Sequence, residues 1–438
     1  MSSLIPLILS LLAFLLPADG TILQNGQVRP TNYPDTAVSI NEAWTTYPPN
    51  SSQISYKGRW DDMYISWWSA PGLKFGFTGS EVAISFGNYT DDGNLIAYRY
   101  GGEDWMLTNV TANSTHQLVT SSTLGYNTTA ANTTRTFELR VSNWALGVQI
   151  DSVHLSPGGR LVQLPSYDRT VEIIGDSLSA GQYATLEGIA SWAWGFGEGL
   201  GNVEFSIEAH PGICLTDIIC SGNNPHGQLY QWFKTSDTSY RATQIYGSNQ
   251  PDWDFSAHPA ADIVVINIGT NDAGSSANVS DAEFTANYIT FISRIHCVWP
   301  DAQIVVFSLW GGWSQQGDTW VQGPTYVQAI ENVVQAFSGP STPAPYGGNS
   351  SVCQTASANY SNVTSDTPQG RGFVHYFNTT GILQHNDIGP LYHPTDVGHV
   401  KLASHLMQFV KLKFGWMFGA IGPEVQHETQ YWNDWPNN

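Results

Sequence analysis

Basic residues are scarce in this chain. Lysine and arginine together number 16 against 36 aspartates and glutamates, a formal net charge of −20. A surface so poor in cations cannot neutralise phosphates, which argues against nucleic acids and anionic membranes as partners. It suits a soluble protein working in an acidic medium. Long apolar runs are also missing. The run at residues 4–16 is shorter than the ~20 residues of a membrane helix, and Pro17, Ala18, Asp19 and Gly20 follow it. Residues 1–20 therefore read as a secretory signal, although the usual positive start is absent. The apolar stretch 414–421 is short and broken by glycine, so it is expected to pack against the body of the protein. Cysteines number only four, at 214, 220, 297 and 353, and no C-x-x-C occurs, which disfavours zinc. An even count in an oxidising compartment suggests two disulfides. Cys214 with Cys220, and Cys297 with Cys353, is the most economical of three pairings.

What the chain has in abundance points the same way. Asn-x-Ser/Thr sequons occur at Asn50, Asn88, Asn109, Asn113, Asn127, Asn132, Asn278, Asn349, Asn359, Asn362 and Asn378. Such a density fits a glycosylated secreted protein. Aromatic residues make up 13% of the chain, with 17 tryptophans, so some are candidates for stacking on flat ligands.

Two grammars divide the sequence. From about residue 21 to 165, short β-branched and aromatic runs (63–67, 73–77, 81–86, 95–100, 116–120, 136–141 and 148–155) alternate with turn residues. That spacing predicts an all-β sandwich of jelly-roll type. Residues 156–168 read as a connector. Beyond it, short apolar runs at 171–174, 203–209, 262–268, 303–309 and 372–377 alternate with helical patterns. Ser280 and Glu283 form a capping box ahead of Phe284, Tyr288, Ile292 and Ile295, and Thr395 caps a helix expected to bury Val397, Val400, Ala403, Leu406 and Val410. Alternation of this kind predicts an α/β fold, a parallel sheet flanked by helices, over residues 170–414, with a tail at 415–438.

In such sheets ligands bind beyond the carboxyl ends of the strands, and unusual residues sit there. Gly175-Asp176-Ser177 follows the first strand and His210-Pro211-Gly212 the second. Gly269-Thr270-Asn271-Asp272 follows the third, and His393-Pro394 precedes the last helix. Acyl transfer needs a hydroxyl nucleophile, a base, an orienter for that base and donors for an oxyanion. Ser177 can supply the hydroxyl and a backbone N–H, His393 the base, Gly212 a second N–H and Asn271 a side-chain amide. Asp176 competes as a local turn residue, and His399, inside the last helix, as a structural histidine.

The chain resembles the SGNH, or GDSL-type, hydrolases, whose four named residues are a Ser, a Gly, an Asn and a His in that order. The blocks match at Ser177, Gly212, Gly269 to Asp272, and His393-Pro394. The resemblance covers roughly residues 170–414 and implies a flavodoxin-like fold and a serine esterase. One position departs from the pattern. The family usually places an Asp three residues before the catalytic His, and Pro390 stands there. Either a backbone carbonyl orients His393, giving a Ser–His dyad, or Asp387 or Asp396 reaches in from elsewhere in the loop. A β-sandwich ahead of such a domain also resembles carbohydrate esterase family two. That resemblance implies a secreted enzyme removing acetyl groups from xylan or mannan, without a metal or other cofactor. Trp310 and Trp313, on the loop after the fourth strand, are candidates for a sugar platform. Trp44, Trp60, Trp67 and Trp68 are candidates from the β-region. Two other functions remain open, an esterase for longer acyl chains and a carbohydrate-binding protein without catalysis.

Overall fold

A computed structural model describes residues 33–338 and 372–419, apart from 124, 127–132, 145 and 221–224, and the short strands Thr21–Gln24 and Gln27–Pro30. The segment 1–20, the sequons at Asn127, Asn132, Asn349, Asn359 and Asn362, Cys353 and the tail from 420 onward lie outside the described residues.

The β-region forms two antiparallel sheets. The first orders Thr115–Val119, Val82–Phe86, Val148–Leu155 and Thr45–Tyr47, with Ile65–Ser66 also pairing on Val148–Leu155. The second orders Arg160–Val162, Gly72–Thr78, Arg135–Val141, Asn94–Tyr100 and Met106–Val110, with Ser55–Lys57 added to Gly72–Thr78. Side chains alternate across each strand, so Leu73, Phe75, Phe77, Phe137 and Leu139 of one sheet meet Val82, Ile84, Phe86, Val153 and Leu155 of the other in a single core. Within the expected connector, Arg160–Val162 is an edge strand.

The opposite face of the second sheet is charged yet covered. Glu138 accepts from Arg99 at 2.6 Å and from Arg140 at 3.1 Å, with Lys74 at 3.9 Å. Arg99 also reaches Glu198 at 2.6 Å, and Arg140 lies over the rings of Trp194 and Phe205. A second buried knot joins the two halves at Arg59, whose guanidinium meets Glu172 at 2.7 Å and Glu208 at 3.4 Å. Neighbouring tryptophans cross the same seam. Trp68 lies in the core of the α/β half and donates to Thr235 O at 2.9 Å. Trp67 donates to the Tyr246 hydroxyl at 3.1 Å. Trp60 belongs to the sandwich core. Trp60, Trp67 and Trp68 are all buried and so are not sugar platforms; Trp44 is half-buried.

The second half is the α/β fold expected from the alternation. Its parallel sheet orders Glu204–Ala209, Thr170–Gly175, Ile263–Asn267, Gln303–Phe307 and Val374–Phe377, so the chain order is 2-1-3-4-5, as in flavodoxin-like sheets. Every residue of Ile263–Asn267 is buried, because helices cover both faces. Helices Asp281–Val298 and Val327–Ala336 pack on one face through Phe284, Ile292, Ile330 and Val333. Helices Trp192–Leu200 and Asp396–Phe414 cover the other through Trp192, Leu200, Leu402, Leu406 and Val410. Ser280 caps its helix by accepting from Glu283 N, and Thr395 caps the last helix by accepting from Gly398 N. The last helix differs from expectation at two positions. Val397 and Val400 are exposed, and the buried stripe is His399, Leu402, Ala403, Leu406 and Val410. At 100° per residue those five stay within one arc, while Val397 and Val400 fall outside it. After this helix the chain packs back as expected, with Trp416 buried.

Candidate functional site

The first strand delivers Ser177 into a tight turn. Asp176 caps the short helix Ser177–Ala180 by accepting from Leu178 N at 2.9 Å. Ser177 is buried, 6% exposed. Burial pushes the Asp176 carboxyl up to about 7; the Leu178 N–H opposes this and the nearby Asp272 adds to it.

The second and third strand ends hold each other. Asn271 donates from its amide to Ile213 O at 2.9 Å, beside Gly212. Asp272 is fully buried and accepts from Leu215 N at 2.8 Å and Thr216 N at 2.9 Å. Burial raises the Asp272 carboxyl, opposed by those two amides. Gly212 has φ 82, a left-handed conformation that disfavours other residues. The same loop is closed by the disulfide Cys214–Cys220, as expected from the spacing. Cys353, the expected partner of Cys297, is not among the described residues.

His393 sits on the loop before the last helix and is buried, 6% exposed. Its Nδ1 lies 2.8 Å from Leu391 O and 3.2 Å from Pro390 O. A carbonyl oxygen can only accept, so Nδ1 carries the proton and Nε2 presents a lone pair. Nε2 is buried and has no hydrogen-bond partner among the described residues. Burial pulls the imidazole down to about 4, partly offset by the two carbonyls. The turn that aims those carbonyls is unusual. Leu391 (φ 51) and Tyr392 (φ 68) are both left-handed, each costing about 1–2 kcal/mol outside glycine.

Both carboxylates considered as orienters of His393 are engaged elsewhere. Asp387 accepts from Gln384 N at 2.8 Å and from Lys401 Nζ at 2.6 Å. Asp396 accepts from Thr185 N at 2.8 Å, tying the segment after Ser177 to the His393 helix. The orienting groups are therefore main-chain carbonyls, and Asp387 is corrected to a structural residue. His399 is structural too: its Nδ1 accepts from Trp192 N at 2.9 Å.

The loop after the fourth strand also corrects an expectation. Trp310 is 2% exposed, so its ring cannot stack on a substrate; instead its Nε1 donates to Tyr392 O at 3.0 Å. Trp313 is half-buried at the base of a hairpin, Trp313–Gln316 with Thr319–Gln322. The exposed ring is Trp320, stacked on His385 at 4.2 Å between centroids. Two contributors carried no sequence signal. Tyr183 lies edge-on to the His393 ring at 4.8 Å, and Gln228 binds Gly175 O at 3.1 Å and Glu208 O at 3.0 Å behind the strand ends. Among the described residues no three His, Cys, Asp or Glu side chains are grouped to hold a metal, and no helix is long and apolar enough to cross a membrane.

Solved structures share this two-part fold. A family two carbohydrate esterase from Clostridium thermocellum, in complex with cellohexaose, is 21% identical with a TM-score of 0.60, over 83% of this chain and 100% of that one. A carbohydrate esterase family 2 enzyme with a carbohydrate-binding domain from Corynascus thermopiles (Myceliophthora fergusii) is 17% identical, TM-score 0.62, with coverages of 83% and 100%. An acetyl xylan esterase from the rumen bacterium Butyrivibrio proteoclasticus is 16% identical, TM-score 0.61, with coverages of 85% and 100%. No curated protein matches the sequence. The model of the GDSL-like lipase/acylhydrolase family matches residues 173–401, more than half of the chain and the whole span from the first parallel strand into the last helix, and the protein belongs to that family.

Proposed function

We propose that this family member is a secreted serine esterase that deacetylates plant cell-wall polysaccharide of the acetylated xylan or mannan type through a Ser177–His393 dyad. The observation that carries the reading is the imidazole of His393. Two carbonyls fix its Nδ1 proton, its buried Nε2 is a lone pair without a partner, and burial keeps it neutral. Ser177 Oγ attacks the acetyl carbon as Nε2 takes its proton. The N–H groups of Ser177 and Gly212 and the Asn271 amide hold the oxyanion. The bond to the sugar oxygen breaks as His393 returns the proton to it, and water repeats the cycle on the acetyl-enzyme. No step calls for a metal or cofactor.

A polysaccharide rather than a small ester is supported by the rim beside His393. Tyr392 and Trp320 are 54% and 45% exposed, His385 packs against both Trp313 and Trp320, and Gln315 pairs across the hairpin with Trp320. Flat rings interleaved with amides suit sugar faces and hydroxyls. The structural relatives include a family two esterase in complex with cellohexaose and an acetyl xylan esterase. Secretion is supported by the N-terminal apolar run and by sequons at the exposed Asn50, Asn88, Asn113, Asn278 and Asn378. The experiment is acetate release from acetylated xylan, acetylated mannan and an aryl acetate, with a long-chain ester as contrast, by wild type and Ser177→Ala. The variant is expected to lose on the order of 10⁴-fold or more. Faster cleavage of the long-chain ester points to a lipase-like substrate, and glycan binding by a folded protein silent on every ester points to a binding protein.

A further inference from the structure

We infer that Trp310 is a positioning residue for His393, its indole N–H holding the left-handed turn that makes main-chain carbonyls stand in for the missing carboxylate. The inference rests on the proposed role of His393 as base. It starts from the motif Trp310-Gly311-Gly312-Trp313, whose first ring is too buried to meet a substrate. A buried indole needs an acceptor. The acceptor here is Tyr392 O at 3.0 Å, the carbonyl of the peptide that enters His393.

That peptide is the one most in need of a tie. Leu391 and Tyr392 are consecutive left-handed residues with side chains, and such backbone persists only where its surroundings over-determine it. The other ties at this turn are main-chain bonds, Gly389 N to His393 O at 2.7 Å and His393 N to Pro390 O at 3.1 Å. The second of these holds the planar Tyr392–His393 peptide only by its N–H, from within the loop itself. Trp310 fixes it from outside the loop, with an indole locked in the same core as Trp192 and Phe307. The two glycines fit the same purpose. A Cβ on Gly312 would lie 2.1 Å from the Tyr392 ring, and one on Gly311 would lie 1.8 Å from Gly323 O. The motif is a cradle: Gly312 seats the Tyr392 ring, Gly311 lets the strand end pass Gly323, and Trp310 pins the carbonyl. If the turn relaxed to ordinary backbone, the carbonyls of Pro390 and Leu391 would swing away from Nδ1. The imidazole proton would then divide between the two nitrogens, and each ring protonated at Nε2 could not accept from Ser177.

The test is Trp310→Phe, which keeps an aromatic ring and removes the N–H. Aryl acetate hydrolysis is expected to fall about tenfold in kcat with KM within about twofold, as for loss of a group acting only on the chemical step. Nitrogen-15 spectra of His393 at neutral pH are expected to move from a single Nδ1–H tautomer to a mixture. A buttress for the core alone would lower the melting temperature and leave both readouts in place. Leu391→Gly, which accepts the left-handed turn without strain, is expected to restore part of kcat in the Trp310→Phe background. Gly312→Ala, at a half-buried position, perturbs the same turn should Trp310→Phe fail to fold, and is expected to shift the same His393 resonances. Wild-type kcat in Trp310→Phe, or an unchanged His393 spectrum, overturns the inference. If Ser177→Ala proves as active as wild type, the esterase reading falls, and the His393 spectra still decide whether Trp310 holds the turn.

Discussion

Taking the medium from about pH 7.5 to about pH 5.5 should barely slow ester hydrolysis. The perturbed group is the proposed base, His393, and the active form is the neutral ring. An ordinary histidine, near 6.5, would be only ~10% neutral at pH 5.5. Burial brings this one to about 4, against the weaker pull of its two carbonyl partners, so ~97% of it stays neutral at the same pH. The expected difference is therefore nearly tenfold in kcat/KM, which reports ionisations of the free enzyme. The acid limb should have its midpoint near 4, with tenfold loss per pH unit below it. The assay is initial rate on a soluble aryl acetate at sub-saturating concentration from about pH 3.5 to 8, with circular dichroism at each point. The second measurement is needed because the shift also acts on stability. Between about 6.5 and 4 the unfolded chain binds a proton that the folded His393 refuses, so stability falls as pH drops through that window. An acid limb centred between 6 and 7 in a folded protein would refute the reasoning. It would mean either that His393 is well hydrated or that another group limits the rate.

Three further outcomes follow from the same geometry. Asp387→Asn should cost less than about tenfold in kcat/KM, since Asp387 holds Lys401 and not His393; a triad carboxylate would cost ~10⁴. Asp272→Ala leaves the buried amides of Leu215 and Thr216 without their acceptor. It should cost about 2–6 kcal/mol in urea unfolding, at about 1–3 per orphaned group, and weaken catalysis through the Gly212 loop. Glu138→Gln strands Arg99, Arg140 and Lys74 at the buried seam and should cost about 3–5 kcal/mol. In wild type, burial would raise this carboxyl, but Arg140 and Arg99 outweigh it and bring it to about 2. Its contribution should thus be complete above about 4.5 and be lost as pH falls toward 2, visible as an acid limb in the melting temperature.

The sequence carried the parallel sheet plainly, because strands covered on both faces are continuous in apolar residues, as at Ile263–Asn267. It carried the locations of Ser177, Asn271 and His393, because residues with distinctive chemistry stood at strand ends. Short polar strands such as Thr45–Tyr47 and Ser55–Lys57 were not legible, since their pairing depends on neighbours far along the chain. The direction of a tryptophan was not legible either. Trp68 and Trp310 are in cores and Trp320 is exposed, and composition treats all three alike. The orienting of His393 was legible only in part: Pro390 in place of the usual Asp opened the choice of a backbone carbonyl, but not which one. It uses carbonyl oxygens, which every residue possesses, and only backbone angles at Leu391 and Tyr392 reveal where they point. Val397 and Val400 were misplaced because a valine-rich helix fits more than one phase until its neighbours choose.

The knot at Arg59 also bears on how such a chain can be divided or recombined. A cut at the connector, between residues 165 and 170, would separate Arg59 from Glu172 and Glu208 and expose Trp68 on one fragment and its socket on the other. Each fragment would carry charges selected to be met, and a sticky apolar edge, with nothing to meet them. The sandwich is thus not cargo that can be swapped between catalytic halves. A graft would need to bring its own partner for both glutamates, so the two halves are bound to drift together, residue for residue across the seam, wherever their sequences change.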